Sequence, residues 1–167
     1  MENAYPASTP MELGLKLSKH DDSEAFNATI YRSLIGSLMY LNTTRPDLMF
    51  SVSLLSKFMA SPKGSHWKAG KGVLRYILGT VDHEIHYKRN VDNVLVGYSD
   101  SDWGGNVDDF KSTSGYVFNI SSGVVLWASK KQDVVALSTT EAEYISLSAA
   151  SCQALWLRKL LHELKCP

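Results

Sequence analysis

The hydrophobic period of this chain changes near Thr80, and that change constrains the fold more than any other feature of the sequence. Before it, apolar residues recur at helical spacings of three and four, as at Ile30, Leu34, Leu38 and Leu41. After it come short β-rich segments, SGYVFNI and GVVLWAS, joined by the turn residues SSG. A helical half followed by short antiparallel strands predicts an α+β fold.

Three parts are predicted along the chain. Residues 1–25 combine prolines with the polar run KHDDSE and indicate an extended or loosely docked arm. Residues 26–90 carry three helical patterns, the first of them capped by Asn27. Residues 91–167 predict a three-stranded antiparallel sheet, with a long final helix lying across one of its faces. Ser138 or one of the two threonines after it is expected to cap that helix.

Composition excludes several classes of protein. The 167 residues include 17 basic and 17 acidic ones, and the zero net charge argues against a strongly electrostatic nucleic-acid binder, although local basic patches stay open. Two cysteines do not make a disulfide scaffold. The start of the chain lacks a signal-peptide pattern, and no stretch approaches the roughly 18 apolar residues of a membrane span. We therefore expect a soluble intracellular protein, cytoplasmic or nuclear, with no membrane partner.

The stretch VGYSDSDWGG carries the strongest chemical signal. Asp100 and Asp102 stand two apart at the end of an apolar strand, and such positions share a face. Paired carboxylates need a cation or hydrogen-bond donors to compensate them. Glu141 and Glu143 follow at the start of the last helix. Oxygen ligands of this kind suit Mg²⁺ and metal-assisted phosphodiester cleavage. The alternative is structural, with turn aspartates and with glutamates that favour the helix dipole.

A second candidate set follows the third strand. Lys130, Lys131 and Gln132 could contact phosphates of a nucleic acid, and the alternative is a solvated strand end. The chain has no glycine-flanked nucleophilic serine, no phosphate-binding loop and no dinucleotide fingerprint. Serine hydrolysis and nucleotide-cofactor chemistry therefore have no support.

Several long motifs, in order and over nearly the whole chain, resemble the Pol polyprotein of copia-type LTR retrotransposons. They include YRSLIGSLMYL, TRPDLMFSVSLLSKFM, HWKAGKGVLRYILGT, GYSDSDWGG and WASKKQDVVALSTTEAEY. The resemblance implies that residues 26–90 belong to the thumb and connection of a reverse transcriptase. It also implies that residues 91–167 are the first part of a ribonuclease H domain, which cleaves RNA in an RNA–DNA hybrid with Mg²⁺.

The resemblance assigns roles to single residues. YSDSD is similar to the first strand of ribonuclease H, which implies Asp100 as a catalytic, metal-binding carboxylate, with Asp102 in support only. EAEY is similar to the start of its first helix, which implies Glu143 as the second. Glu141 lies about 200° from Glu143 around the helix, so the two cannot face the same metal. The family uses four carboxylates, and the chain stops at Pro167 before the other two. We therefore expect Mg²⁺ binding to be weak or absent and catalysis to be incomplete.

Other functions stay open beside this one. The chain could be a non-catalytic binding or effector protein that reuses the fold, or an open reading frame without a selected role. The parent's partner is an RNA–DNA hybrid. If later strands of the sheet are missing, the edge beside Asp100 is open, and self-association through it is expected.

Overall fold

The computed structural model describes residues 4–89 and 94–165, and the chain divides between Glu84 and Ile85 into two compact units. The predicted boundary between residues 90 and 91 lies outside the described residues. Helices of the first unit are α1 (Ala28–Leu41), α2 (Met49–Ser56), preceded by a 3₁₀ turn at Pro46–Leu48, and α3 (Gly64–Leu78). The second unit consists of strands β1 (Leu95–Ser101), β2 (Thr113–Ile120) and β3 (Gly123–Lys131), followed by helix α4 (Thr139–Glu163).

The α+β class is confirmed, because the three strands form one antiparallel sheet in the order β1-β2-β3. The two predicted helix starts are confirmed as well. The Asn27 side chain accepts hydrogen bonds from the N–H groups of Thr29 and Ile30, and the Ser138 hydroxyl accepts one from Glu141. No helix in the described part of the chain is long and apolar enough to cross a membrane.

The buried face of α1 agrees in part with the apolar series seen in the sequence, since Leu38 is buried and Leu34 and Leu41 pack against the core. Tyr31, Ile35 and Leu38 are buried, whereas Ile30 is 51% exposed. The Tyr31 hydroxyl donates a hydrogen bond of 2.9 Å to the carbonyl of Leu55 inside the core of the first unit. A buried hydroxyl needs such a partner, so the contact with α2 selects this face.

The N-terminal arm docks on α3 through a buried histidine. His66 is fully buried and stacks on Phe58 with a ring separation of 3.8 Å. Its Nδ1 accepts a hydrogen bond of 3.0 Å from the N–H of Lys63, and its Nε2 lies 3.0 Å from the carbonyl of Ser18. Because Nδ1 accepts, Nε2 carries the proton and donates to the arm. This hydrogen bond from a buried side chain fixes the arm at Ser18, so the arm is more than the loosely docked segment that the sequence indicates.

A buried arginine connects the 3₁₀ turn to the end of α3. Arg45 is 7% exposed and donates to both carboxylate oxygens of Asp47, at 2.9 and 2.7 Å, and to the carbonyl of Thr80 at 2.9 Å. Burial raises the pKa of Asp47, but hydrogen bonds with Arg45 and Tyr76 lower it more, and the net pKa lies below the ordinary value. The charged form of Asp47 therefore stabilises the fold.

This network predicts acid sensitivity of the first unit. Since the folded pKa of Asp47 is lowered, its contribution is complete above the unfolded pKa of an aspartate, about 4, and is lost as the pH falls through the folded value. We expect Asp47→Asn to lower stability at pH 7 by roughly 1–3 kcal/mol and to flatten the decline below about pH 4. Hydrogen exchange of first-unit peptides across this pH range measures both effects. Exposed Asp82→Asn is the control and should follow the wild type. If the stability of Asp47→Asn falls with pH in parallel with that of the wild type, the prediction is wrong.

The core of the second unit lies between α4 and the sheet. Phe118, Ala150 and Leu157 form its buried cluster. A Cβ atom at Gly97 would overlap the Phe118 ring, so only glycine leaves room for that ring on β1. Because Phe118 packs with Ala150 and Leu157 of α4, the face that Gly97 shares with Phe118 is the face that α4 covers.

The buried side of α4 differs in part from the series Leu147, Ala150, Ala154, Leu157, Leu161 and Leu164 that the sequence suggests. Ala142, Ser146, Ala150 and Leu157 are buried, whereas Leu147 and Leu164 are 52% and 63% exposed. Small side chains at the first three positions let the helix approach the strands closely.

Candidate functional site

The Ser146 side chain contacts the backbone of Asp100 where β1 ends. Asp100 is the next-to-last residue of β1 and pairs with Gly115 of β2. The Ser146 hydroxyl donates a hydrogen bond of 2.7 Å to the carbonyl of Asp100, which fixes the second turn of α4 over this strand end. Glu143 stands three residues earlier on α4. The fold therefore brings the elements that carry the two predicted carboxylates to the same end of the sheet.

The carboxylate of Asp100 does not point toward α4. Successive side chains of a strand alternate between faces, and Gly97 marks the covered face. Asp100, three positions on, consequently belongs to the opposite face, and it is exposed. Its Oδ1 accepts a hydrogen bond of 2.9 Å from the N–H of Ser101, which keeps the carboxylate beside the strand. Glu143 is exposed on α4, which packs on the other face. The structure does not bring these two carboxylates together.

Mg²⁺ does not fit the residues of this site as they stand. The ion demands near-octahedral oxygen coordination and gives up its water reluctantly, so one isolated carboxylate holds it weakly. Across residues 4–89 and 94–165, no three or more histidine, cysteine, aspartate or glutamate side chains are grouped so that they could hold a metal ion. No chemical step through a metal follows from this geometry.

The other two acidic residues of the motifs have structural partners. Glu141 Oε2 accepts a hydrogen bond of 2.7 Å from the N–H of Leu137, while its own N–H donates to Ser138, so it completes the N-terminal cap of α4. Asp102 Oδ1 accepts a hydrogen bond from the N–H of Thr113 and extends the β1–β2 pairing past the strand end. Hydrogen-bond donors thus compensate both Asp100 and Asp102.

The predicted phosphate-binding residues differ in their exposure. Lys130 is exposed, and the Lys131 ammonium group pairs with the carboxylate of Asp109. Burial raises the pKa of Asp109, but the hydrogen bonds from Lys131 and from the N–H of Lys111 lower it, and the net pKa lies below the ordinary value. Lys131 is therefore partly neutralised, and Lys130 offers the more available positive charge.

Gln132 is 5% exposed, and its side chain links β2 to α4 inside the second unit. Its amide nitrogen donates to the hydroxyl of Ser114 at 2.9 Å and to the carbonyl of Ala142 at 3.0 Å. These bonds hold the first turn of α4 against β2. Sequence reasoning missed this polar contact and the similar one made by Ser146. The signal for Ser146 was its place in line with two small residues, Ala142 and Ala150, on one helix face.

Two loops beside this strand end are joined to each other. The indole N–H of Trp103, which follows β1, donates a hydrogen bond of 3.2 Å to the carbonyl of Ala136, which precedes α4. The Lys111 ammonium group donates a hydrogen bond of 2.7 Å to the carbonyl of Asp133, which also lies in the loop before α4. The loop after β1 and the loop before α4 therefore form one connected surface at the predicted site.

Comparison with known proteins gives matches over almost the entire chain. It is 44% identical, over 98% of its length, to the retrovirus-related Pol polyprotein from transposon RE2 of Arabidopsis thaliana. Over the same share it is 42% identical to the corresponding polyprotein from transposon TNT 1-94 of Nicotiana tabacum. The chain spans only 11% and 13% of the lengths of these two relatives.

A much shorter relative matches as well. Over 76% of its length the chain is 49% identical to secreted RxLR effector protein 161 of Plasmopara viticola, and the match covers 90% of that protein. No family model matches the chain. No solved structure matches it either.

Proposed function

The chain belongs to the family of copia-type, retrovirus-related Pol polyproteins, and from that membership we propose that its second unit is a ribonuclease H-like domain of retrotransposon origin. The parent activity is metal-dependent cleavage of RNA in an RNA–DNA hybrid. Residues 26–90 are proposed to derive from the thumb and connection of the reverse transcriptase. The proposal places the protein with its nucleic acid, in the cytoplasm or nucleus.

One observation carries this proposal. Asp100, the next-to-last residue of β1, accepts a hydrogen bond at its carbonyl from Ser146, and Glu143 lies three residues before Ser146 in the first part of the same helix. That is the order and placement of the first strand and first helix that the family resemblance implies. Lys130 and Lys131 lie on the strand that leads toward this helix and are proposed to contact phosphates. Gln132 is proposed to assist indirectly, by holding the start of α4.

In this chain we propose that the domain is catalytically incomplete. The Asp100 carboxylate lies on the face of the sheet that α4 leaves uncovered, whereas Glu143 is on α4 itself. The described residues supply no third ligand beside either of them. Any Mg²⁺ bound at either carboxylate alone is expected to be weakly held. Further ligands from outside this chain would have to complete the site and draw the two carboxylates together.

A chimera tests the assignment. The chain would be joined to the segment that follows the matched stretch in a Pol polyprotein relative, and hybrid cleavage would be measured in Mg²⁺. We expect cleavage that Asp100→Asn and Glu143→Gln each abolish. Glu141→Gln is the matched control, because that carboxylate caps the helix and should leave cleavage nearly unchanged. Cleavage that survives both Asp100→Asn and Glu143→Gln would overturn the residue assignment.

The second candidate function is a non-catalytic binding or effector protein. It is favoured by the similarity to secreted RxLR effector protein 161, of which this chain covers nine-tenths with 49% identity. A chimera that folds and binds the hybrid without cutting it would favour this alternative.

A further inference from the structure

The outer edge of β1 carries unpaired backbone groups. Within the described parts of the chain, β1 pairs with β2 alone. The N–H of Asp102 donates to Thr113, and the carbonyl of Val94 accepts from Ser121, so even-numbered residues of this strand are bonded to β2. In an antiparallel ladder the alternate residues turn their N–H and C=O groups the other way. These are the odd-numbered residues of β1: Leu95, Gly97, Ser99 and Ser101.

This edge lacks the features that prevent strands from pairing between molecules. Natural edges are protected by lysine, proline, bulges or very short strands. β1 has seven residues, none of them lysine or proline, and its pairing with β2 runs without a bulge. Val96 and Tyr98 are 37% and 61% exposed on the face that α4 leaves uncovered. A pairing edge and an apolar strip therefore lie side by side.

We propose that β1 pairs with β1 of a second copy of this chain, antiparallel, about a two-fold axis at Gly97. The charge of the strand decides between the two directions. Asp100 is its one charged residue. Parallel in-register pairing would put the two carboxylates on neighbouring strands, ~5 Å apart, whereas this antiparallel pairing separates them by about 20 Å. That exceeds the Debye length of ~8 Å at physiological salt, so their repulsion is screened.

The register follows from the groups that remain available. Ser101 already donates its N–H to the Asp100 carboxylate. The outward groups of Leu95, Gly97 and Ser99 remain, and a centre at Gly97 pairs Gly97 with itself and Leu95 with Ser99 of the second copy. Val96 of each copy then lies opposite Tyr98 of the other, which gives two such pairs across the axis. Pairs of an aromatic and a β-branched side chain stabilise sheets. A centre at Tyr98 would instead require the Ser101 donor and would place Val96 opposite a carboxylate.

The helices leave room for this arrangement. α4 packs on both β1 and β2, so a second α4 on the same face would stand about two strand spacings away. Two spacings are ~10 Å, the usual distance between packed helices. The product is a continuous six-stranded sheet with both helices on one face. This proposal does not depend on the ribonuclease H-like assignment.

Cysteine cross-linking tests the register. In a background with Cys152→Ser and Cys166→Ser, one chain carries Val96→Cys and a second chain carries Tyr98→Cys. Directly opposed residues of a non-hydrogen-bonded pair have Cα atoms about 4.5 Å apart, within disulfide range. We expect a disulfide-linked dimer when the two chains are mixed and oxidised, and little linkage in either chain alone. Linkage of the Tyr98→Cys chain to itself would overturn the Gly97 centre.

Light scattering of the full chain at tens of micromolar tests the association itself. We expect a dimer for the wild type, and association at least about tenfold weaker for Tyr98→Lys and for Ser99→Pro. Proline at position 99 removes an outward N–H and leaves the bonds to β2 in place. Tyr144→Lys, on the exposed side of α4, is the matched control and should stay dimeric. A monomeric wild type, or equal weakening by Tyr98→Lys and Tyr144→Lys, would overturn the proposal even if Ser99→Pro fails to fold.

Discussion

The purified chain is expected to leave a labelled RNA–DNA hybrid uncut in Mg²⁺ or in Mn²⁺. Asp100 faces away from α4, so the structure offers isolated carboxylates where a paired-metal site requires several together. Two-metal cleavage depends on an ion that stabilises the leaving oxygen. Loss of about 5 kcal/mol of that stabilisation slows turnover some thousands-fold. The rate should then be indistinguishable from that of the hybrid without protein.

Asp100→Asn is the control for this assay. If the wild type cuts the hybrid strongly and Asp100→Asn does not, the prediction fails, and other carboxylates complete the site. Asp102, Asp108 and Asp109 are the first to examine, because they lie in the loop that follows β1. Each would be replaced by asparagine and assayed in the same way.

Phe118→Ala is expected to destabilise the second unit strongly while the first unit keeps its stability. Phe118 is 3% exposed and is the largest member of a buried cluster that otherwise contains Ala150 and Leu157. Truncating a buried phenylalanine costs about 3–5 kcal/mol. A unit of about 80 residues has a total stability of roughly 4–12 kcal/mol, so the substitution removes much of it.

Hydrogen exchange followed peptide by peptide measures this effect, because the two units report separately. Protection should fall by orders of magnitude in β1, β2 and α4 and stay unchanged in α1 and α3. Phe110→Ala is the matched control, since Phe110 is 68% exposed and its loss should change little. Equal loss of protection in both units would show that they unfold together.

The sequence alone determined the elements whose signals are local. The caps at Asn27 and Ser138 were readable because a capping side chain bonds to N–H groups two or three residues ahead. The three strands were readable from alternation and turn residues, and the family from long motifs in order. The cap and strand signals depend only on residues close together in the chain, and the family motifs can be compared directly as sequence.

Tertiary structure alone decided which face each element buries. The apolar series predicted for α1 began at Ile30, but Ile30 is exposed and Tyr31 is buried, where its hydroxyl bonds to Leu55, distant in sequence. Gln132 looked like a surface residue after a lysine pair, yet contacts with Ser114 and Ala142 bury it. Asp100 was placed correctly on a strand end, but the position of α4 determines that its carboxylate faces away from Glu143. The physical reason is the same in each case: secondary structure follows from nearby residues, whereas a face is chosen by partners that only folding brings close.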